Sequence, residues 1–355
     1  MTGEVVHGGA RPAELRALGL RPEDVIDFSA SVNPLGPPPA VREALARLDP
    51  SAYPDPDCTE LREALAAREG VSPAEVFVGN GSVEILHLLA AVSLEPGDAA
   101  VVFAPAFGEY EAACRRRGAR VTEVRAREED GFRWNLDAAL SALPGARLVF
   151  LGNPNNPTGV YLARDEVERI LAAAFPGGTA GGLLVLDEAY RSFVEAPWPS
   201  TGLARGGRAV LVRSLTKDCG LAGLRLGYCL AAPEVVARLR AAQVTWSVNA
   251  AAQAAGLAAL ADAAHLERSR AAVREAKAYL VGALRDLGLP VTAGAANFLL
   301  VRTGRAAEVR RRLLRHGLLV RDCTSFGLPD HVRIGVRTRP ECARLVAALA
   351  AVLEG

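Results

Sequence analysis

Lys217 ends the string Ser214-Leu215-Thr216-Lys217, directly after a predicted buried strand. A lysine at a strand edge is usually just solvated, although lysine amines also act as nucleophiles toward carbonyl groups. Here the hydroxyls of Ser214 and Thr216 and the guanidinium of Arg225 lie within the same short stretch. Two hydroxyls and a permanent cation suit a phosphate dianion beside an amine. The set therefore predicts a site that combines amine chemistry with phosphate binding.

Three other polar strings also follow predicted strands. Asp187 is followed by Glu188-Ala189-Tyr190, and a turn-forming string covers residues 153–159, Asn-Pro-Asn-Asn-Pro-Thr-Gly. Residues 79–82, Gly-Asn-Gly-Ser, open a predicted helix whose N–H groups and dipole favour an anion. Each string has a structural explanation when taken singly, as a helix cap or a connecting turn.

The elements that carry these strings alternate between apolar strands and amphipathic helices. Strands are predicted at 76–78, 99–104, 120–124, 147–151, 183–186, 209–212 and 226–231. Helices are predicted at 83–92, 107–117, 136–142, 164–174 and 234–242. Near-continuous apolar strands between helices indicate a mostly parallel sheet covered on both faces. Such sheets bind ligands at the carboxyl ends of their strands, where the polar strings cluster.

The pattern changes beyond about residue 250. A long Ala-rich helical stretch runs through residue 287, and strand-like pieces and a closing helix follow at 297–301, 318–320, 332–336 and 340–353. We therefore expect an α/β chain with a seven-stranded, mostly parallel sheet flanked by helices, and a smaller α+β domain. The expected division is an N-terminal segment (1–40) packing with the small domain, a large domain (41–245) and a small C-terminal domain (246–355).

Composition excludes several classes of function. The 355 residues are 50% hydrophobic and carry a formal charge of +1, which gives no electrostatic case for nucleic acid or a membrane surface. The six cysteines lack metal-ligand spacing and the histidines show no HExxH pattern, so we expect free thiols and no structural metal. The sequence shows neither a signal-peptide pattern nor an apolar run of the ~20 residues that a membrane helix needs. We expect a soluble, cytoplasmic protein.

Together the motifs NPNNPTG, DEAY, SLTK and GLRLGY resemble the class I/II aminotransferase family of fold-type-I pyridoxal 5'-phosphate (PLP) enzymes, over essentially the whole chain. By that resemblance Lys217 would form a Schiff base with PLP. Asp187 would keep the pyridine nitrogen protonated, so that the ring accepts electrons. Asn156 and Tyr190 would bind the phenolic oxygen. The remaining cofactor contacts would be Phe107, stacked on the ring, and Gly81, Ser82, Ser214, Thr216 and Arg225 at the phosphate.

The resemblance also implies an assembly and a substrate contact. Tyr53, in Tyr53-Pro54-Asp55-Pro56, matches a tyrosine that reaches the phosphate in the neighbouring subunit, which implies a homodimer with shared active sites. Arg333 aligns with the arginine that binds the substrate carboxylate. The partner molecule would be a small phosphorylated amino-acid substrate.

Within the family, the sequence is most similar to the L-threonine-O-3-phosphate decarboxylases, lyases that make (R)-1-amino-2-propanol O-2-phosphate in cobalamin biosynthesis. The similarity rests on His7-Gly8-Gly9, on residues 27–36 and 246–249, and on the arginines of the C-terminal part. It implies four phosphate ligands in addition to Arg333 on the carboxylate: His7, Asn33, Arg321 and Arg337.

Two alternatives stay open, a 2-oxoglutarate-dependent histidinol-phosphate aminotransferase and a decarboxylase of serine phosphate. Residues 217–222 read partly like the aminotransferase. Decarboxylase and aminotransferase can share every cofactor residue, because anchoring of the substrate decides which Cα bond stands perpendicular to the ring and is weakened. A PLP-binding regulator without catalysis is a third class, but the sequence contains no basic winged-helix segment.

Overall fold

The N-terminal part of the chain extends along the C-terminal part. The computed structural model describes residues 5–176 and 181–354, so residues 1–4 of the predicted N-terminal segment lie outside the described residues. Helix α1 (Pro12–Ala17) precedes strand β1 (Ile26–Asp27), which pairs in parallel with residues 318–319. Helices α2 (Pro39–Ala46) and α3 (Thr59–Glu69) then lead into the central sheet.

The central sheet has seven strands. They are β2 (Val76–Gly79), β3 (Ala99–Ala104), β4 (Arg120–Arg125), β5 (Leu148–Gly152), β6 (Leu183–Asp187), β7 (Ala209–Ser214) and β8 (Gly227–Leu230). Their spatial order is β2-β8-β7-β6-β5-β3-β4, and all neighbours are parallel except β8, which runs antiparallel to both β2 and β7. Successive side chains point to opposite faces, so Val101 and Val102 of β3 enter different hydrophobic cores.

Helices cover both faces of this sheet. They are α4 (Gly81–Ser93), α5 (Glu109–Arg116), α6 (Leu136–Leu140), α7 (Arg164–Ala174), α8 (Thr201–Ala204), α9 (Leu215–Asp218) and α10 (Pro233–Ala242). Three of them begin within a few residues of a strand that runs in the common parallel direction: α4 after β2, α5 after β3 and α9 after β7. Their N-termini therefore lie at the carboxyl edge of the parallel strands, where the polar strings were predicted to meet.

The C-terminal part begins with α11 (Ala250–Leu260) and α12 (Ala263–Asp286). The predicted single helical stretch divides at Asp262, whose side chain accepts a hydrogen bond from the backbone N–H of His265 and so caps α12. The remaining elements are β9 (Val291–Thr292), β10 (Phe298–Arg302), α13 (Ala306–Arg315), β11 (Leu318–Leu319), β12 (Arg321–Asp322), β13 (His331–Gly335) and α14 (Arg339–Glu354). Four of these strands form an antiparallel sheet in the order β12-β13-β10-β9.

The expected fold class is confirmed, with all seven strands of the main sheet at the predicted places. The predicted domain limits stay predictions. Phe28 packs in the core formed by α12, β10 and α14, whereas Ala252 and Ala255 of α11 pack in the core of the main sheet. In the part of the chain that the structure describes, every helix is too short or too polar to cross a membrane.

Candidate active site

A cavity of about 570 Å³ opens at the carboxyl edge of β5, β6 and β7, against the N-terminus of α4. It brings together many of the residues predicted from the sequence. Those that line it are His7, Ser82, Phe107, Asn156, Asp187, Tyr190, Thr216, Lys217, Arg225, Arg321 and Arg333. We call two parts of it the sheet wall (Asp187, Thr216, Lys217 and Arg225) and the terminal wall (His7, Ser29, Arg321 and Arg333).

Asp187 ends β6 and is only 6% exposed. Its Oδ1 accepts a hydrogen bond from the Ala189 N–H (2.9 Å) and its Oδ2 accepts one from the Tyr110 hydroxyl (2.8 Å). Burial raises the pKa of Asp187 despite these donors and despite the nearby charge of Lys217. A buried carboxylate of this kind favours a cationic partner in the cavity.

Tyr110 was missed as a site residue. Burial, with Asp187 adding to it, raises the pKa of the Tyr110 hydroxyl well above its ordinary value, so the hydroxyl stays a donor. Its ring stacks on Phe150 with centroids 5.1 Å apart. The available signal was its spacing: Tyr110 follows Phe107 by three residues, about one helical turn, and both line the cavity.

The N-terminus of α4 forms a narrow cradle with the sheet wall. A Cβ on Gly81 would lie 2.7 Å from Nη2 of Arg225, and Gly81 has φ +78°, so glycine is required there. The hydroxyls of Ser214 and Thr216 are 2.6 Å apart. Helix N–H groups, hydroxyls and a guanidinium fit a phosphate dianion. With the buried Asp187 beyond it, the donor set fits the phosphate and the ring of PLP.

The turn that carries Lys217 is held by hydrogen bonds from Asn33, which is far away in the sequence. The backbone N–H of Asn33 donates to the Lys217 carbonyl (2.8 Å). The Asn33 side-chain amide donates to the Asp218 carbonyl and to Ser269 Oγ (both 2.8 Å), while its Oδ1 accepts from the Leu35 N–H (2.9 Å). Asn33 is 2% exposed. The expectation that Asn33 binds a phosphate is therefore not matched by its position, because its polar atoms fasten the lysine turn.

Arg333 and Arg321 form the deeper part of the terminal wall. Arg333 is buried, donates to Asn156 Oδ1 and to the Ser29 carbonyl (2.7 Å), and lies over the ring of Phe298 at 5.1 Å. Arg321 donates to the Val6 carbonyl (2.7 Å) and to Ser325 Oγ (2.6 Å). Two guanidiniums thus face the cavity from strands β12 and β13, opposite the sheet wall.

His7 contacts Glu109, which in turn contacts His87, and neither of these two residues was predicted from the sequence. Its Nε2 is 2.8 Å from Oε1 of Glu109, and the other oxygen of Glu109 is 2.7 Å from Nε2 of His87. The ring of His7 also lies 5.5 Å from that of Phe107. Burial acts to raise the pKa of Glu109, but hydrogen bonds from His87 and His7 outweigh it and leave that pKa lowered. Glu109 therefore fastens the N-terminal segment at the cavity mouth.

Two predicted residues lie elsewhere. Arg337 pairs with Glu341, one turn further along the chain at 2.9 Å, and the structure places it outside the cavity, contrary to the expected phosphate contact. Tyr53 is 78% exposed and stacks on Trp246 with ring centroids 4.4 Å apart. Within one protomer Tyr53 is thus also outside the cavity, and its predicted contact with a neighbouring subunit stays a prediction.

Known proteins are similar to this chain over nearly its whole length. A histidinol-phosphate aminotransferase from Symbiobacterium thermophilum is 45% identical over 346 residues, which cover 95% of this chain and 92% of that protein. One from Moorella thermoacetica is 40% identical over 348 residues, covering 95% and 87%. The solved histidinol-phosphate aminotransferase from Sinorhizobium meliloti, in complex with pyridoxal-5'-phosphate, has a TM-score of 0.88 at 28% identity and covers 98% of this chain and 95% of that chain.

These relatives correct the expected activity. Decarboxylation of threonine phosphate in cobalamin biosynthesis, and with it the assignment as a lyase, is wrong, because relatives 35–45% identical are named histidinol-phosphate aminotransferases. The structure gives the physical reason. Of the strings that favoured the decarboxylase, Asp27 accepts hydrogen bonds from two nearby N–H groups in a turn, Asn33 fastens the lysine turn, and Trp246 stacks on Tyr53. These contacts build turns and packing, and they do not distinguish a decarboxylase from an aminotransferase.

The family itself is shown by a match over most of the chain. The sequence model described as "Aminotransferase class I and II" matches residues 23–349. Its extent includes the whole main sheet, the sheet wall and both arginines of the terminal wall, and the expected family is confirmed. This chain belongs to the class I and II aminotransferase family.

Proposed function

We propose that the protein is a histidinol-phosphate aminotransferase, which transfers the amino group of L-histidinol phosphate to 2-oxoglutarate. The observation that carries the proposal is one cavity that combines a phosphate cradle and a buried carboxylate with two arginines on the opposite wall. Full-length relatives named histidinol-phosphate aminotransferase support the choice of substrate.

The cofactor is PLP, as the motifs predicted. When bound, it supplies an electron sink for the substrate Cα. We propose that Gly81, Ser82, Ser214, Thr216 and Arg225 hold its phosphate. Their support is the narrow cradle at the start of α4, where a dianion would receive N–H, hydroxyl and guanidinium donors at once.

Asp187 would hold the protonated pyridine nitrogen, and its raised pKa gives this contact an energetic basis. Burial alone disfavours the ionised form of Asp187, and a cation within hydrogen-bonding distance would stabilise that form again. The hydrogen bond from the Tyr110 hydroxyl would orient the Asp187 carboxylate. Asn156 and Tyr190 would donate to the phenolic oxygen, and Phe107 would stack on the ring.

Lys217 would carry the proton transfer. Its amine would first hold the cofactor, and after displacement by the substrate amine its Nζ would remove the proton from Cα. A proton at Cα moves in transamination only if the Cα–H bond stands perpendicular to the ring, so the remaining substrate groups must be fixed. The fastening of the Lys217 and Asp218 carbonyls by Asn33 supports a fixed position for this amine.

The terminal wall would fix those groups. Histidinol phosphate offers a phosphate and 2-oxoglutarate offers carboxylates, so the same cationic wall would receive an anion from each substrate in turn. Arg333 and Arg321 are buried and face the cavity, and His7 lies at its mouth. In the structure Arg333 is bonded to Asn156 and Ser29, partners that an anionic substrate would replace in part.

A homodimer would complete the site. Tyr53, Val244 and Trp246 are large apolar side chains that remain exposed on one protomer, which supports their burial by a second copy. In such a dimer Tyr53 would reach the cofactor phosphate of the neighbouring subunit.

Purified protein loaded with PLP tests the proposal. With L-histidinol phosphate and 2-oxoglutarate we expect glutamate to form, at a kcat/KM at least about a hundredfold above that with L-aspartate as donor. Threonine phosphate and serine phosphate are the controls, and neither should release CO₂. Glutamate formed from aspartate but not from histidinol phosphate would reject the substrate while leaving the family in place.

A further inference from the structure

Residues 294–298 support three predicted site residues that come from distant parts of the chain. The Ala295 N–H donates to the Gly159 carbonyl (2.7 Å), at the end of the loop that carries Asn156. Ala296 and Phe298 pack with Tyr190, whose ring is 4.9 Å from that of Phe298. Phe298 also lies under the Arg333 guanidinium. A shift of this segment would therefore move Asn156, Tyr190 and Arg333 together.

The contact between this segment and the Asn156 loop is close. A Cβ on Gly294 would lie 2.2 Å from the Gly159 carbonyl oxygen, and one on Gly159 would lie 3.0 Å from the Gly294 Cα. Backbone meets backbone here without intervening side chains, so displacement of residues 294–296 passes directly to the loop.

Lys277 of α12 is hydrogen-bonded to this segment through its side chain. Its Nζ donates to the carbonyls of Gly294 and Ala296, the latter at 2.7 Å. The amine is largely withdrawn from water, and burial lowers the pKa of Lys277 to about 8, partly opposed by Glu195. Burying an ammonium is costly unless it is hydrogen-bonded, so the two carbonyls are matched to the amine rather than incidental to it.

The composition makes a lysine at this position informative. Of the 41 lysine and arginine residues in the sequence, only Lys217 and Lys277 are lysines. Exposed cations elsewhere in the chain are thus arginines, including Arg274 on the same helix. Arginine has a planar, rigid donor group, whereas an ammonium is compact and can point donors at two carbonyls from one atom.

Lys277 also lines a second cavity, of about 470 Å³. The charged side chains that line it are Glu195, Arg270, Arg274 and Lys277, and Arg270 donates to the carbonyls of Val194 and Glu195. This cavity leaves room for altered side chains at residue 277, so that substitutions test the hydrogen bonds without forcing the core apart.

We propose that Lys277 is a positioning residue for the reaction, which fixes Asn156, Tyr190 and Arg333 through the carbonyls of Gly294 and Ala296. The inference rests on the proposed roles of those three residues at the cofactor and the substrate. It assigns no contact between Lys277 and either molecule. Its effect would appear both on the bound cofactor and on the binding of anionic substrates.

The test compares Lys277→Met, Lys277→Gln and the control Arg274→Met in the PLP-loaded protein. The first readout is the pH midpoint of the absorption change of bound cofactor, which is independent of the substrate. Looser donors at the phenolic oxygen stabilise its ionised form less, so the midpoint should rise by about half a pH unit in Lys277→Met. It should rise less in Lys277→Gln, which keeps one donor group, and stay unchanged in Arg274→Met.

The second readout is steady-state kinetics with histidinol phosphate and 2-oxoglutarate. We expect kcat/KM to fall roughly tenfold in Lys277→Met, mostly through KM because Arg333 loses its support. Thermal unfolding of the cofactor-free proteins measures folding separately, and if Lys277→Met does not fold, Lys277→Gln against wild type decides. An unchanged absorption midpoint in folded Lys277 variants would overturn the inference. A shifted midpoint in a protein that does not turn over histidinol phosphate would support Lys277 and reject the substrate instead.

Discussion

The two walls of the cavity are built in different ways. Residues of the sheet wall stand at strand ends of the same sheet: Asp187 ends β6, Thr216 and Lys217 follow β7, and Arg225 precedes β8. The cores on the two faces of that sheet therefore fix their backbone positions. Residues of the terminal wall are held by contacts between remote parts of the chain: Arg321 with Val6, Arg333 with Ser29 and His7 with Glu109. The sheet wall therefore depends mainly on the main sheet, with the Lys217 turn held in addition by Asn33, whereas the terminal wall depends almost entirely on contacts between remote parts of the chain. Changes to the first wall should alter cofactor chemistry, and changes to the second should alter substrate binding.

The largest effect is expected from Lys217→Ala on the sheet wall. Loss of the amine removes both the covalent attachment of the cofactor and the proton carrier, so turnover should fall by at least about a thousandfold. Borohydride reduction of the wild-type protein, followed by peptide mass mapping, should place the cofactor on Lys217. Because Lys277 is the only other lysine, labelling there instead would contradict the assignment.

Asp187→Asn separates cofactor binding from stability on the same wall. Burial raises the pKa of Asp187, so the native state binds protons more readily than the unfolded state, and stability falls as pH rises through that raised pKa. The cofactor-free variant should therefore unfold at the same temperature as wild type or higher at pH 7. Affinity for PLP should nevertheless fall by at least about tenfold and kcat by about a hundredfold.

Thermal unfolding without cofactor and titration with PLP measure these two effects. A cofactor-free Asp187→Asn that is clearly less stable than wild type would show that the carboxylate serves the fold rather than the cofactor.

Arg333→Lys tests the terminal wall, with Arg337→Lys as its matched control. Lysine keeps the charge but loses the planar pair of donors, so KM for histidinol phosphate and 2-oxoglutarate should rise roughly tenfold or more. Arg337 pairs with Glu341 outside the cavity, and the same replacement there should change KM by less than about twofold. An equal rise in KM for the Arg333 and Arg337 variants would contradict a specific role of Arg333 in substrate binding.

Glu109→Gln should produce the smallest effect, because it loosens only the fastening of His7. We expect KM to rise by a few-fold, roughly what one charged hydrogen bond at a half-exposed site is worth, with little change in PLP affinity. The lowered pKa of Glu109 adds a pH dependence: its contribution to stability is present above the ordinary range of a carboxyl and is lost as pH falls through the lowered pKa. His7→Gln should give the same rise in KM. A His7→Gln protein with the wild-type KM would show that Glu109 does not act through His7.

The same contrast explains what the sequence could predict. Asp187, Asn156 and Lys217 stand in short motifs at strand ends, and a strand-then-loop pattern already places such residues at one edge of a parallel sheet. The expectations that the observed contacts do not match concern other regions: Arg337 follows a site strand yet pairs with Glu341, and Asn33 binds backbone that is 185 residues away.

Tertiary contacts of that length leave no periodic signal in a single sequence, which is also why Glu109 and His87 escaped notice as partners of His7. The choice between decarboxylase and aminotransferase failed for a related reason. It relied in part on residues 27–36 and 246–249, where Asp27 and Asn33 bind turns and Trp246 stacks on Tyr53, so these strings do not distinguish the two reactions.

The hydrogen bonds of Asn33 have a consequence for biosynthesis. Asn33 joins the carbonyls of Lys217 and Asp218 to Ser269 of α12, and a ribosome delivers these three parts of the chain in widely separated order. A nascent chain that has released the whole main sheet still lacks the partner that completes this junction. Stable binding of the PLP aldehyde by Lys217 would therefore wait until α12 has left the ribosomal exit tunnel. The enzyme would become able to hold its cofactor only late in translation.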